Sequence, residues 1–308
     1  ASADEVAMTQ ALVISRWIYF AAIFALFGSS LFWFYIGPWP ADGRAEPRSF
    51  RATLRALRIA ALVTAVSGVG WLAASIANMT GSFANVVDPT TLQVFFSQTP
   101  FGPVALLRLA LFAAIVLLAL LPRQDRAWRL TMLVAAALLL VSQAWFGHAA
   151  EGGASLYGAL MIFAYSVHML AGAAWVGGLV PLLFTLLELR RSQAHERFAA
   201  LLSRYSLMGM FAVTLVLISG MANVAFHAVS PGKLFHSAYG EVLFAKLSLL
   251  AGMLLLAYFN RFVALPRLRA YSGIAQLTRL RATIGFELAL GVLVIGAAAV
   301  LGITALPQ

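Results

Sequence analysis

The residues of this sequence best suited to chemistry are histidines and methionines within or beside long apolar segments. The chain has five histidines and no cysteine, so thiolate metal sites and disulfides are excluded. Imidazole suits copper, zinc, iron and nickel, and imidazole together with thioether favours Cu(I). The candidate metal ligands are His148, His168, His227, His236, Met161 and Met221.

His168 stands out among these candidates because of its expected depth in a membrane. It lies 11 residues past Tyr157, where an apolar segment begins, which is about 16 Å along a helix. A bilayer core is about 30 Å thick, so the ring is expected near its midplane. An ionisable ring is costly there, and the default interpretation is a functional site. The alternative is a structural histidine that is held by a neighbouring backbone carbonyl.

The candidate ligands fall at different predicted depths. The rim ligands are His148, His227 and His236, and those below them are Met161 and Met221. The methionines are expected about 6–9 Å below the rim, although gap-filling in an apolar interface would also explain them. His148 and His168 differ by about 16 Å in height, which is too far for one mononuclear site. We therefore predict a ladder of rim histidines, methionines and then His168.

The composition is that of an integral membrane protein. Of the 308 residues, 62% are hydrophobic and only 10% are charged, whereas soluble domains carry about 25% charged residues. The net charge of +10 comes from basic residues between apolar segments, so we expect a lipid bilayer as partner and no nucleic acid. No phosphate loop, Ser/His/Asp constellation or catalytic carboxylate pair is recognisable, and an enzyme is not expected.

Eight apolar segments are long enough to cross a bilayer as helices, which takes about 20 residues. They span residues 12–36, 54–78, 102–121, 127–147, 157–187, 205–228, 239–259 and 282–304. A continuous apolar run satisfies its backbone in lipid by forming a helix. The predicted fold is therefore an all-α polytopic membrane bundle with eight transmembrane helices in a single domain, residues 1–308.

The basic residues predict the orientation of the chain. Seventeen of the 21 lysines and arginines lie in alternate loops, in clusters at 44–58, 123–129, 190–204 and 261–281. The positive-inside rule places those loops in the cytoplasm, and both termini then face the periplasm. The rim histidines named above would face the periplasm as well, and His195 would face the cytoplasm.

Several ionisable residues within the predicted helices are not part of the ladder. They are Arg16, Arg108, Glu241, Lys246 and Glu287. The basic ones and Glu241 could snorkel to the interface, pair among themselves or line a polar vestibule. Glu287 is expected to pair with an arginine such as Arg204 or Arg261. The alternative is that Glu287 serves as an exit for a proton or a cation.

One stretch resembles the signature H-x-x-x-x-x-x-W-x-G-G-L of the copper resistance protein D family of bacterial inner-membrane proteins. It reads His168-Met-Leu-Ala-Gly-Ala-Ala-Trp175-Val-Gly177-Gly178-Leu. Supporting matches are Gly147-His148-Ala149, Arg204-Tyr205-Ser206, Tyr239-Gly240 followed by Lys246, Asn260-Arg261, and Glu287. The resemblance is best over residues 140–300, and the first three helices match only in pattern.

The resemblance implies an eight-helix protein that handles copper, through uptake across the inner membrane or copper tolerance, with periplasmic copper-binding partners. The outer loops are not rich in methionine or histidine, so capture of copper would need a donor protein. Two alternatives remain open. One is a b-type cytochrome, with haem b held by axial ligands such as His148 and His227. The other is a metal-free assembly factor for a respiratory complex.

Overall fold

The chain folds as a bundle of long helices. The structure, a computed structural model, describes residues 3–35, 48–122, 124–146, 152–153, 155–189, 195–226, 237–270 and 274–304. These residues form helices and turns but no strands. Eight of their helices are long and apolar enough to cross a membrane. The prediction of an all-α bundle with eight spans is therefore confirmed.

The helices are numbered here in chain order. They are α1 (Ala3–Tyr35), α2 (Arg48–Thr80), α3 (Pro89–Gln98), α4 (Gly102–Leu120), α5 (Arg126–Val141), α6 (Leu156–Leu189), α7 (His195–Phe226), α8 (Ala238–Phe259), α9 (Leu265–Ala270) and α10 (Ile274–Leu301). The helices α1, α7 and α10 begin nine, ten and eight residues before their predicted starts at 12, 205 and 282. Hydropathy detects only the apolar part of a helix, so polar first turns escaped the prediction.

The connection between α2 and α4 contains a short helix, α3, that the sequence analysis did not predict. Gly81 follows α2 with a φ of 73°, the left-handed conformation that commonly ends a helix. Asp88 caps α3 by accepting a hydrogen bond from the Thr91 N–H at 2.7 Å, and Pro89 is the first helical residue. This hydrogen bond lowers the pKa of the Asp88 carboxyl. The Asp-Pro pair is a sequence signal for such a start.

Helix α1 lies at the centre of the bundle, packed against α2, α5, α6 and α10. It crosses α6 where Gly28 faces Gly177. A Cβ atom on Gly177 would overlap the carbonyl group of Phe24, and one on Gly28 would overlap the backbone of Gly177. Glycine is required at both positions because the two backbones touch. Helix α7 packs on α6, and α8 packs on α10.

The helix that begins as α8 changes from α-helical to π-helical winding after Phe259. Residues Asn260–Ala264 form a π-helical turn, after which α9 continues the helix. Pro266 has no N–H group to donate to a preceding carbonyl, so the regular hydrogen-bond ladder is interrupted at this point. Turns of this kind are frequent at functional sites, and Asn260 contributes a side chain to the polar network described below.

Candidate functional site

His168 lies well inside the longest helix of the described residues. It is 12 residues beyond Leu156, the first residue of α6, which is about 18 Å along the helix axis. The ring is half-buried and faces α7. Gly220 of α7 makes room for it, since a Cβ atom there would approach the ring carbon Cε1 to 3.3 Å. The imidazole is therefore held between two apolar helices.

One ring nitrogen of His168 is anchored on α7. Nδ1 lies 3.1 Å from the carbonyl oxygen of Val216 and 3.2 Å from Oγ of Ser219. The Ser219 hydroxyl donates to the carbonyl of Leu215, so both neighbours of Nδ1 act as acceptors. A neutral ring in this position carries its proton on Nδ1, and Nε2 has a free lone pair.

The other nitrogen, Nε2, makes no hydrogen bond with the residues that the structure describes. Metal-binding histidines usually donate from one nitrogen to a carbonyl while the other binds the metal. A structural histidine would make the same carbonyl contact, so the geometry allows copper binding without requiring it. Lys246 of α8 is within electrostatic range of the ring. A cation bound at Nε2 would be repelled by that ammonium group.

The three predicted ligands that the structure describes, His168, Met161 and Met221, do not form one centre. Met161 is buried and lies seven residues before His168 on the same face of α6, about 10 Å closer to the N-terminal end of that helix. Met221 points outward from α7, with 66% of its surface exposed. The described part of the chain contains no group of three or more His, Asp or Glu side chains that could hold a metal ion. The rim ligands His148, His227 and His236 lie outside the described residues.

A second polar group lies around Trp175, seven residues after His168 on α6, and Glu287 of α10. The Glu287 side chain is only 3% exposed. Its Oε1 accepts from Nε1 of Trp175 at 2.9 Å, and its Oε2 accepts from Nδ2 of Asn260 at 3.0 Å. Thr283 donates to Oδ1 of Asn260 at 2.6 Å, which fixes the orientation of that amide. The carboxyl group thus holds two donors from two other helices.

The prediction that Glu287 pairs with an arginine is wrong. Arg261 donates instead to Oγ of Ser206 at 2.7 Å, and the partners of Glu287 among the described residues are neutral. The π-helical turn directs Asn260, rather than its neighbour Arg261, toward the carboxyl group. The result is a buried acidic group whose charge no basic side chain of the described residues neutralises.

The structure gives each residue of the Trp-x-Gly-Gly element a separate role. Trp175 donates to Glu287, and its carbonyl accepts a hydrogen bond from the Tyr205 hydroxyl at 2.8 Å. Gly177 permits the contact with α1. A Cβ atom on Gly178 would lie 2.9 Å from the Tyr205 ring. The sequence analysis identified this element, but its link to Glu287, 112 residues away, depends on helix packing.

Comparison with known families gives two matches. The model for the copper resistance protein D-like N-terminal domain matches residues 7–159, and the model for copper resistance protein D matches residues 199–301. The first match extends the similarity to the N-terminal helices, for which the sequence analysis found only a common pattern. No solved structure matches the chain significantly.

Three relatives share similar levels of identity with this chain. It is 29% identical over 256 residues to inner membrane protein YebZ of Escherichia coli (strain K12), covering 82% of this chain and 84% of that protein. It is 30% identical over 239 residues to copper transport protein CutJ of Bacillus subtilis (strain 168), covering 75% of this chain and 41% of that protein. It is 28% identical over 301 residues to copper resistance protein D of Pseudomonas syringae pv. tomato, covering 93% of this chain and 94% of that protein.

Two of these relatives and both family models are named for copper, and none is named for an enzymatic activity. The matches do not favour a b-type haem carrier or a metal-free assembly factor. The chain belongs to the copper resistance protein D family.

Proposed function

We propose that this protein takes Cu(I) from the periplasmic face of the bacterial inner membrane and carries it across, with both termini on the periplasmic side. Copper is the cargo in this proposal. The family membership and the names of the relatives support copper and the inner membrane. The distribution of basic residues supports the orientation. A periplasmic copper-binding protein would deliver the ion.

The observation that carries the proposal is the anchored ring of His168. Nδ1 is bound to the carbonyl of Val216, so Nε2 is the nitrogen available to a soft cation. Met161, one heptad outward on the same helix face, would hold copper before it reaches His168. The rim ligands would receive copper from the donor. Met221 would join the path only where another protein surface covers α7, because its side chain is exposed.

The buried charges favour inward movement of a cation from His168. A monovalent cation within an apolar bundle needs a compensating charge, since an unpaired buried ion costs several kcal/mol. Lys246 opposes a cation at His168. Glu287 lies near Trp175, seven residues further inward, which is about 10 Å along α6. Its carboxylate would stabilise copper after the ion leaves the imidazole.

A Cu(I) competition titration against a chelator would test this assignment on the purified full chain. We expect His168→Ala to lower the affinity at least tenfold and His168→Met, which supplies a thioether, to retain part of it. His195→Ala is the control, because it removes a histidine predicted to lie on the cytoplasmic side. Equal Cu(I) affinity in wild type and both His168 variants would overturn the proposed role of His168.

A further inference from the structure

Two arginines are buried in the N-terminal half of the bundle. Arg16 of α1 is 8% exposed and Arg108 of α4 is 3% exposed. They do not snorkel to water, and no carboxylate of the described residues pairs with either. The two guanidinium groups are close enough to repel each other electrostatically. An arginine pair of this kind is unusual, because each charge raises the cost of burying the other.

Aromatic rings and hydroxyl groups surround both guanidinium groups. The Arg108 guanidinium carbon lies 4.8–5.6 Å from the centres of four rings, those of Tyr19, Trp71, Phe112 and Phe146. Arg16 lies 5.3 Å from the Phe20 ring and 5.5 Å from the Trp71 ring, which both arginines share. Arg108 donates to Oγ of Ser142 at 3.2 Å, and the hydroxyl of Tyr165 is within hydrogen-bonding reach of Arg16.

These contacts leave specific polar atoms without partners. Nε of Arg16 and Nη2 of Arg108 are enclosed donors without an acceptor. Gln143 lies in the same cluster, and its Nε2 donates to the Tyr19 hydroxyl at 2.8 Å and to the Leu139 carbonyl at 3.2 Å. Its Oε1 is left without a donor. Leaving buried donors unpaired is destabilising, so a ligand that accepts hydrogen bonds from the guanidinium groups would stabilise the bundle.

The described residues around the pair supply too little negative charge for two cations. The C-terminal end of α10 approaches Arg16, since a Cβ atom on Gly302 would overlap the guanidinium group. A helix C-terminus carries about half a negative charge, and the faces of the rings add a weaker attraction. Among the described residues, at least one full positive charge remains uncompensated. They therefore lack one unit of negative charge and acceptors for the unpaired guanidinium donors.

We propose that Arg16 and Arg108 bind a small monovalent anion of the halide or carboxylate class. Guanidinium groups bind both kinds of anion with charge-assisted hydrogen bonds. A lipid phosphate does not fit this site, because both guanidinium groups are shielded from the bilayer surface. The positive pair also repels Cu(I), which keeps the N-terminal half closed to the cation. This proposal does not depend on the copper route through α6, α7 and α10.

Thermal unfolding of the purified full chain in detergent tests the proposal. The ionic strength is kept constant while gluconate, a much bulkier anion, is replaced by chloride or by formate. We expect a saturable rise in Tm of about 4 °C or more at a hundredfold excess over the dissociation constant. Arg16→Lys and Arg108→Lys keep the positive charge but lose the planar guanidinium group with its paired N–H donors. Each variant should need at least a tenfold higher anion concentration to reach half of the rise in Tm.

Arg58→Lys is the control, because Arg58 donates to the Leu121 carbonyl at the end of α4, away from the pair. Its anion response should equal that of wild type. Absence of a saturable rise with both anions in wild type would overturn the proposal. A rise that is unchanged in both Arg16→Lys and Arg108→Lys would also overturn it, because the anion would then bind elsewhere. The wild-type titration and Arg16→Lys decide the question even when Arg108→Lys does not fold.

Discussion

Replacing Trp175 by phenylalanine should destabilise the bundle by removing a hydrogen bond from Glu287. Nε1 of Trp175 donates to the buried carboxyl group over 2.9 Å. A hydrogen bond to a charged group contributes about 1.5–3 kcal/mol, whereas one between neutral groups contributes about 0.5–1.5 kcal/mol. Trp17→Phe is the matched control, because Nε1 of Trp17 donates to the neutral carbonyl of Val292 on the same helix α10 over 3.0 Å. Trp175→Phe should therefore cost about 1–1.5 kcal/mol more than Trp17→Phe.

Reversible unfolding in mixed micelles with increasing denaturing detergent would measure both free energies. A double-mutant cycle with Glu287→Leu, whose side chain accepts no hydrogen bond, isolates the bond from the change in ring size, since that change is common to both backgrounds. We expect a coupling energy of about 1–2 kcal/mol between positions 175 and 287. Strict additivity, together with equal costs for Trp175→Phe and Trp17→Phe, would show that the hydrogen bond does not hold α6 to α10.

Three further outcomes are expected. Gly177→Ala should lower the free energy of unfolding by about 1–3 kcal/mol, because it forces α1 and α6 apart. Gly209→Ala places its Cβ where no atom of another element lies within 4 Å, so it should leave stability unchanged or raise it by up to about 1 kcal/mol. Thermal unfolding would compare the two variants. The Asp88 carboxyl has a lowered pKa, so its cap on α3 is complete above the ordinary carboxyl pKa and is lost as pH falls through the lowered value. Relative to its intrinsic exchange rate at each pH, the Thr91 amide should be protected from hydrogen exchange at pH 5 and lose that protection only in stronger acid, while in Asp88→Ala it should be unprotected at both. Lys246→Leu, which removes the charge without adding a copper ligand, should tighten Cu(I) binding severalfold in the competition titration, and unchanged or weaker binding would contradict the proposed repulsion.

The eight spans could be predicted because each is a continuous apolar run of sufficient length. The ends could not, because α1, α7 and α10 extend through polar turns that hydropathy does not register. Helix α3 was missed for a different reason. It is only ten residues long, and its signal is a local cap at Asp88 rather than a hydrophobic period.

The candidate site could be predicted in part. His168 was identified from its depth alone, but Val216 and Ser219 contact it from positions 48 and 51 residues away, and no local pattern specifies that packing. Glu287 was expected to pair with an arginine because buried charges usually pair. The structure surrounds it with Trp175 and Asn260 instead, because the π-helical turn redirects the chain after α8.

The most direct measurement of the central claim is the initial rate of radioactive Cu(I) uptake into proteoliposomes that contain the full chain and a trapped chelator. The proposal predicts copper-dependent uptake by wild type and by His195→Ala, and a rate at least tenfold lower for His168→Ala at equal protein content and orientation. Uptake by His168→Ala at the wild-type rate would contradict the claim that copper crosses the membrane by way of this imidazole.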